Sequence, residues 1–156
     1  MQIYLDNAAT TQMSDHAIQA MLPYMNDIFG NPSSLHSAGQ RANEALTNAR
    51  ERIAHLLNAK PSEITFTSGG SEADNQALIS AAQLGEKNGK KHIISTAFEH
   101  HAVLHTLNKL QREGFEITLL PVPENGLIQP EQVAAALRSD TCLVSVMYAN
   151  NEIGTI

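Results

Sequence analysis

The sequence lacks the features of several protein classes. Its 156 residues include one cysteine and no tryptophan. A single cysteine cannot form an internal disulfide, which excludes a disulfide-stabilised secreted domain and favours a reducing compartment. No apolar run reaches the roughly 18 residues that a membrane-spanning helix requires, and the first residues have neither the basic start nor the apolar stretch of a signal peptide. We therefore expect a cytoplasmic protein.

Basic residues are also scarce, with ten Lys and Arg against sixteen Asp and Glu and a net charge of -6. A chain this acidic has no electrostatic footprint for nucleic acid or an anionic membrane, so we expect neither as a partner. Hydrophobic residues make up 42% of the chain and charged residues 17%. This balance excludes a disordered chain or a coiled coil and allows one domain with a hydrophobic core.

From residue 63 onward, short β-branched runs alternate with longer stretches of helical periodicity. Strands are predicted at 64–67, 92–95, 115–122 and 142–147, and helices at 71–86, 102–113 and 130–137. Strands that alternate with helices at this spacing are typical of an α/β protein, whose mostly parallel sheet is buried between helices.

Residues 1–62 have a different pattern. A helix is predicted at 14–29, with Pro23 as a kink or boundary, and a second at 35–58. The segment 30–34 between them is predicted to be a loop, because the residue before a proline avoids the α region. We expect residues 1–62 to be loops and helices that flank the α/β domain, packed outside its sheet or against a partner subunit.

The most informative segment is the predicted strand-to-helix turn at 67–75, with the sequence TSGGSEADN. Its two glycines permit a tight turn, after which we expect a helix with Ser71 as N-cap and Asp74 in a capping-box position. The free N–H groups and the dipole of a helix start form an anion site, to which the hydroxyls of Ser68 and Ser71 would add donors. An ordinary capped turn is the alternative. The segment is neither a P-loop nor a GxGxxG fingerprint.

Histidines follow the predicted strand at 92–95. His100 lies at the start of the next helix, where an imidazole can stack on a planar ligand or transfer a proton near neutral pH. His101 and His105 have the spacing of a helical metal pair, but no third ligand follows a recognisable pattern. We therefore expect solvated or capping histidines there, and no metal.

Two asparagines, Asn150 and Asn151, follow the last predicted strand, where they can form a turn or bind a polar ligand group. Three polar clusters thus follow three strands of one predicted sheet. Ligands of open α/β sheets bind beyond the carboxyl ends of the strands, so we expect the clusters to converge on one site. Cys142 opens an apolar run and is interpreted as a buried core residue rather than a nucleophile.

Five segments together resemble the cysteine desulfurases, which are pyridoxal-phosphate enzymes of the class V aminotransferase family. In the family's order and spacing they are LDNAATT at 5–11, GNPSSLH at 30–36, TSGGSEADN at 67–75, EHHAV at 99–103 and NNEIG at 150–154. The resemblance implies the large domain of a fold-type I transferase, a three-layer α/β/α structure with a mostly parallel sheet. Residues 63–156 would be its first part, so the domain would be incomplete. It also implies the cofactor pyridoxal 5'-phosphate and a homodimer.

The resemblance assigns a role to four residues. Gly70 and Ser71 match positions that bind the cofactor phosphate through backbone and hydroxyl groups. His100 matches the catalytic histidine that stacks on the pyridine ring and assists proton transfer, and Asn151 matches the asparagine that bonds the ring hydroxyl. The implied reaction converts L-cysteine to L-alanine and leaves persulfide sulfur on the enzyme. That sulfur passes to an acceptor such as an iron–sulfur scaffold protein, or into thiolated cofactors.

In the family, the lysine that holds the cofactor and the cysteine that carries the persulfide lie beyond the position of Ile156. Neither Cys142 nor any lysine of this chain is expected to replace them. One expectation is therefore the amino-terminal portion of a desulfurase whose activity belongs to a longer enzyme. A second is a catalytically incomplete fragment that acts as a structural or binding module, and a third is a selenocysteine lyase of the same family.

Overall fold

The computed structural model describes residues 3–156, which form two compact units that divide after Phe66. The first unit contains α1 (Asp15–Asn26), α2 (Ser37–Leu56) and a short 3₁₀ helix (Pro61–Glu63). The second contains α3 (Gly70–Lys87), β1 (His92–Thr96), α4 (His101–Arg112), β2 (Glu116–Leu120), α5 (Pro130–Ala136) and β3 (Thr141–Val144). None of the helices within residues 3–156 is long and apolar enough to cross a membrane.

The three strands form one parallel sheet in the order β2-β1-β3. All five residues of the central strand β1 are buried, whereas the outer strands are partly exposed. His92 opens β1 and connects it to both neighbouring strands: its Nδ1 lies 2.8 Å from the hydroxyl of Thr141, the first residue of β3, and its Nε2 lies 2.9 Å from the hydroxyl of Thr118 in the middle of β2. The predicted α/β class with a parallel sheet is confirmed.

The core lies between β1 and the two helices α3 and α4. The buried positions of α4 recur every three or four residues, which gives the helix one apolar face. That face packs against α3 and the sheet in a cluster formed by Leu78, Ala82, Ile93, Val103, Leu107, Leu110 and Phe115. Each large aliphatic side chain buried in this way contributes about 1.5–3 kcal/mol.

The strand predicted at 64–67 is wrong. No residue of this segment pairs with a strand in the described chain, and Thr65 and Phe66 are exposed. The Arg50 guanidinium takes the place of a neighbouring strand, since it donates to the Ile64 carbonyl and lies 4.8 Å from the centre of the Phe66 ring. β-branched composition favours an extended backbone but does not supply a partner.

Both helices predicted before residue 63 are confirmed. Ser14 caps α1 by accepting the N–H of Ala17 at 3.2 Å. Pro23 lies inside the last turn of α1, where its carbonyl accepts the N–H groups of Asp27 and Ile28, so it precedes the helix end rather than marking it. No residue of α1 is buried. In α2 the buried positions are Gly39, Ala42 and Ala54, whereas the large apolar side chains Leu46, Ile53, Leu56 and Leu57 are exposed.

Helix α3 crosses β3 at a very short distance. An added Cβ on Gly85 would lie 2.4 Å from Cys142 Cβ and 2.7 Å from its sulfur, so only glycine fits there. The Cys142 thiol donates to the His92 carbonyl at 3.3 Å, and burial raises the pKa of the thiol. Cys142 packs against the core as expected, although it is half-buried rather than buried.

We predict that Gly85→Ala destabilises the protein. The added methyl group overpacks the contact with Cys142 at a cost of about 1–3 kcal/mol, which exceeds the helix-propensity gain of under about 1 kcal/mol near a helix end. Denaturant unfolding measures the change. Ser80→Ala, an exposed substitution on the same helix, is the control and should shift the free energy of unfolding by less than about 0.5 kcal/mol. A Gly85→Ala protein at least as stable as the wild type would contradict the prediction.

Candidate functional site

A cavity of about 460 Å³ opens at the carboxyl ends of β1 and β3. Because these strands are parallel neighbours, the loops that follow them meet at the same edge of the sheet. His100 comes from the loop after β1, and Asn151 from the loop after β3. The structure brings both side chains to the wall of this cavity, together with His101, Leu104, Glu152 and Ile153.

His100 is the N-cap of α4. Its Nδ1 accepts the N–H of Ala102 at 3.1 Å, which satisfies one of the free donors at the helix start. In the neutral ring the proton is therefore on Nε2. The imidazole itself is exposed at the cavity wall. Its orientation is fixed by the cap, while Nε2 is left for a ligand.

The two asparagines have different roles. Asn150 is buried, and its Oδ1 accepts the N–H groups of Glu152 at 2.8 Å and Ile153 at 3.0 Å, which closes the turn. Asn151 is exposed, and among the described residues the hydrogen bond of its amide is to the neighbouring Glu152 carboxylate, at 3.2 Å. The sequence left a turn and a ligand contact as alternatives for this pair. The structure assigns the turn to Asn150 and leaves the Asn151 amide accessible.

Glu99 is a buried carboxylate beside His100. Its Oε1 accepts the Thr96 hydroxyl at 2.9 Å and the Met147 N–H at 2.8 Å. The sequence patterns assign no role to Glu99, nor to Asn150 separately from Asn151. The available signal was their position, because each is a polar residue that directly precedes a candidate site residue in the loop after a strand.

The helix α3 begins earlier than predicted. Gly69 is its N-cap and Gly70 its first residue, so the expectation of Ser71 as N-cap with Asp74 in the capping box is wrong. Glu72 closes the helix start instead, because its carboxylate accepts the hydroxyl of Ser68 at 2.7 Å and the N–H of Ser68 at 2.6 Å. These two bonds, the hydroxyl first, hold the pKa of Glu72 below its usual value. Glu72 is better placed than Asp74 to bond the free groups at the helix start, because the third residue of a helix faces back toward the residues at and before the N-cap.

The two serines near the start of α3 therefore differ in their availability to a ligand. The Ser68 hydroxyl donates to Glu72 and is therefore engaged within the chain, which disfavours the expected role as a phosphate donor. The Ser71 hydroxyl is exposed. The N–H groups of Gly70 and Ser71 open an 18-residue helix and have no carbonyl partner one turn earlier. Apart from the adjacent backbone and neighbouring residues, no described atom lies within 4 Å of a Cβ built on Gly69 or Gly70, so a ligand can approach this backbone closely.

Asn75 connects this helix start to α4. Its amide donates to the Ser71 carbonyl at 2.6 Å, and its oxygen accepts the hydroxyl of Thr106 in α4. Asn75 and Thr106 occupy equivalent places, each one and a half turns into its helix. The following buried residues of both helices pack in one cluster, so the helices run in the same direction. The start of α3 therefore lies at the same edge of the unit as His100, although neither Gly70 nor Ser71 lines the cavity described above.

The histidine pair of α4 is exposed, with the ring centres of His101 and His105 5.6 Å apart. Within residues 3–156 no group of three His, Cys, Asp or Glu side chains is arranged to hold a metal ion.

The segment at 30–36 folds tightly onto the start of α2 within the first unit. The Asn31 Oδ1 accepts the Ser33 N–H at 2.9 Å, and the His36 Nδ1 accepts the Gly39 N–H at 3.4 Å. A Cβ on Gly39 would lie 2.3 Å from the Ser34 carbonyl oxygen. Close backbone packing thus accounts for the glycine at the start of this helix.

Comparison with known proteins identifies relatives along the whole described chain. The cysteine desulfurase IscS of Clostridium botulinum (strain Kyoto / Type A2) is 51% identical over 155 residues, which are 99% of this chain and 39% of the relative. A solved structure named NifS-like protein superimposes with a TM-score of 0.94 at 42% identity and covers all of this chain and 43% of its own. The structure of SspA in complex with cysteine gives a TM-score of 0.83 at 39% identity, over 93% of this chain and 42% of its own.

The chain thus spans about two fifths of the length of these relatives. The solved neighbours include cysteine desulfurases, whose parallel α/β domain the second unit shares in part. The family profile described as aminotransferase class-V matches residues 3–156, more than half of the chain. The chain belongs to the class V aminotransferase family.

Proposed function

We propose that the protein carrying this chain is a pyridoxal-phosphate-dependent cysteine desulfurase, which converts L-cysteine to L-alanine and passes the sulfur to an acceptor protein. The observation that carries the proposal is the convergence of His100 and Asn151 on one cavity, at the edge where α3 presents its free N–H groups. The proposal is supported by relatives of about 50% sequence identity that are named cysteine desulfurase. It is also supported by the similar structure of SspA in complex with cysteine. We further propose a cytoplasmic homodimer that supplies sulfur for iron–sulfur cluster assembly.

The residues present fit the three parts of this cofactor. For the phosphate, the N–H groups of Gly70 and Ser71, the Ser71 hydroxyl and the positive end of the α3 dipole form a donor set without a competing carboxylate, because Glu72 faces Ser68. For the pyridine ring, His100 offers an exposed flat imidazole. For the ring hydroxyl, Asn151 offers an accessible amide donor.

Bound pyridoxal phosphate supplies a ring that accepts electrons from the substrate carbon that loses its proton. The chain's own residues anchor and orient that ring. Gly70 and Ser71 would hold the phosphate, and Asn151 would donate to the ring hydroxyl. His100 would stack on the ring, and its Nε2 is the atom that would hold a transferable proton, since Nδ1 is engaged by the Ala102 N–H.

We predict that replacing His100 lowers turnover and leaves the cofactor bound. Loss of a general acid–base group reduces kcat by about 10²–10⁴-fold. Because His100 also caps α4, His100→Asn is the sharper variant than His100→Ala, since asparagine is a good N-cap. Alanine formation from cysteine and bound cofactor per chain are measured together. Unchanged turnover in both variants would remove His100 from the mechanism.

We predict that Ser71→Ala weakens cofactor binding. A hydrogen bond to a charged group contributes about 1.5–3 kcal/mol, so the Kd for pyridoxal phosphate should rise by about 10–100-fold, as measured by titration of the cofactor-free protein. Ser68→Ala is the matched control, since that hydroxyl is engaged by Glu72, and should change the Kd by less than about threefold. Ser71→Thr should retain the affinity. Equal losses at Ser68 and Ser71 would contradict the assignment.

We predict that Asn151→Ala shifts the absorbance maximum of the bound cofactor, because the ring hydroxyl loses a hydrogen-bond donor that favours its ionised form. An unaltered spectrum would argue against this contact.

Should the wild-type protein form alanine from selenocysteine and none from cysteine, the selenocysteine lyase alternative would replace the proposed function.

A further inference from the structure

We propose that Glu99 and Asn150 are positioning residues. They form a reciprocal clasp, defined here as the hydrogen bonds of these two side chains across the loops 97–100 and 145–151, which sets the spacing between His100 and Asn151. The part of this proposal that concerns the cofactor rests on the proposed function, whereas the spacing of the two side chains does not.

Glu99 forms one half of the clasp. It belongs to the loop after β1, yet its Oε1 accepts the N–H of Met147, which lies in the loop after β3, at 2.8 Å. The same oxygen accepts the hydroxyl of Thr96, at the end of its own strand, at 2.9 Å. Glu99 is only 7% exposed, so water does not readily replace these partners. The carboxylate thus ties its own loop to the neighbouring one.

Asn150 forms the other half in the opposite direction. It belongs to the loop after β3, and its amide donates to the Phe98 carbonyl in the loop after β1, at 3.1 Å. Its oxygen meanwhile holds the N–H groups of the turn that follows, and the side chain is 5% exposed. The turn that carries Asn151 is therefore attached to the loop that carries His100.

The clasp continues the sheet where backbone pairing ends. Toward the carboxyl ends of β1 and β3, the last backbone hydrogen bond between these two segments runs from the Ser145 N–H to the Ile94 carbonyl. Beyond it, among the described residues, the contacts of Glu99 with Met147 and of Asn150 with Phe98 are the hydrogen bonds that join the two loops. The adjacent residues His100 and Asn151 are exposed and have no such bond between them. Their separation at the cavity wall is thus set by their buried neighbours.

The chemistry of the clasp separates positioning from a direct electrostatic role. Both bonds of Glu99 fall on Oε1, so Glu99→Gln keeps the acceptor and removes the charge. Glu99→Ala removes both. Asn150→Asp keeps the acceptor for the turn and removes the donor to Phe98. A positioning role requires Glu99→Gln to resemble the wild type, and Glu99→Ala and Asn150→Asp to resemble each other.

The test uses the complete protein that contains this chain, with and without pyridoxal phosphate. Without cofactor, nuclear magnetic resonance follows hydrogen exchange at the Met147 amide and the side-chain signals of His100 and Asn151. With cofactor, the Kd and the absorbance maximum are measured. Asn88→Asp is the matched control, because its exposed amide also donates to a backbone carbonyl, at the other end of α3.

We expect Glu99→Ala to speed Met147 exchange at least tenfold, to shift the His100 and Asn151 signals, to raise the Kd at least fivefold and to move the absorbance maximum. Asn150→Asp should shift the same side-chain signals, Kd and maximum, and Glu99→Gln and Asn88→Asp should stay within twofold of the wild type. If Glu99→Ala does not fold, Asn150→Asp and Glu99→Gln decide the outcome through the same signals.

If the folded Asn150→Asp protein shows unshifted His100 and Asn151 signals, the positioning role of the clasp is overturned, whether or not the protein binds cofactor. A Glu99→Gln protein as impaired as Glu99→Ala also overturns it, in favour of a direct role of the charge. A wild-type protein that binds no pyridoxal phosphate instead overturns the proposed function, and the cofactor-free signals still decide the clasp.

Discussion

The pairing of β1 with a parallel strand on each side is the interaction on which the second unit depends. The strand is buried along its full length, so its backbone groups require β2 and β3, and its apolar face requires the cover of α3 and α4. Parallel pairing also brings the carboxyl ends of β1 and β3 together. The site is in this sense a product of topology, with the His92 imidazole joining the strands at one end and the ligand-facing loops extending from the other.

At the carboxyl edge, residues whose hydrogen bonds are made within the chain lie beside residues that are accessible to a ligand. Asn150 is buried with its hydrogen bonds made, and Asn151 beside it is accessible. Along the start of α3, Ser68 is engaged by Glu72 while Ser71 is exposed. Alternation of this kind holds a polar ligand site rigid without occupying its donors, because the bonds that order each loop are made by residues other than those left for the ligand.

Local sequence patterns predicted the structural features that depend on interactions between residues near one another in the chain. The apolar periodicity of α3 and α4 and the β-branched run of β1 predicted these elements and their parallel arrangement. The resemblance to the family's segments, rather than local pattern, indicated His100 and Asn151. Features decided by distant partners were not predictable. The segment 64–67 has a strand-like composition but its nearest partner is the Arg50 side chain, and the importance of Glu99 depends on Met147, which is 48 residues away. The helix start was misplaced because Glu72 and Asp74 are both acidic and only geometry distinguishes them.

The contact between Gly85 and Cys142 has a chemical consequence for the proposed desulfurase activity. The sulfur atom lies against the glycine of α3, its proton is directed at the His92 carbonyl, and burial favours the thiol over the thiolate by raising the pKa. A thiol is a poor nucleophile compared with a thiolate. Cys142 is consequently a weak competitor for sulfane sulfur and for oxidants, so the sheet that supports the site also keeps its own cysteine from becoming an unintended acceptor.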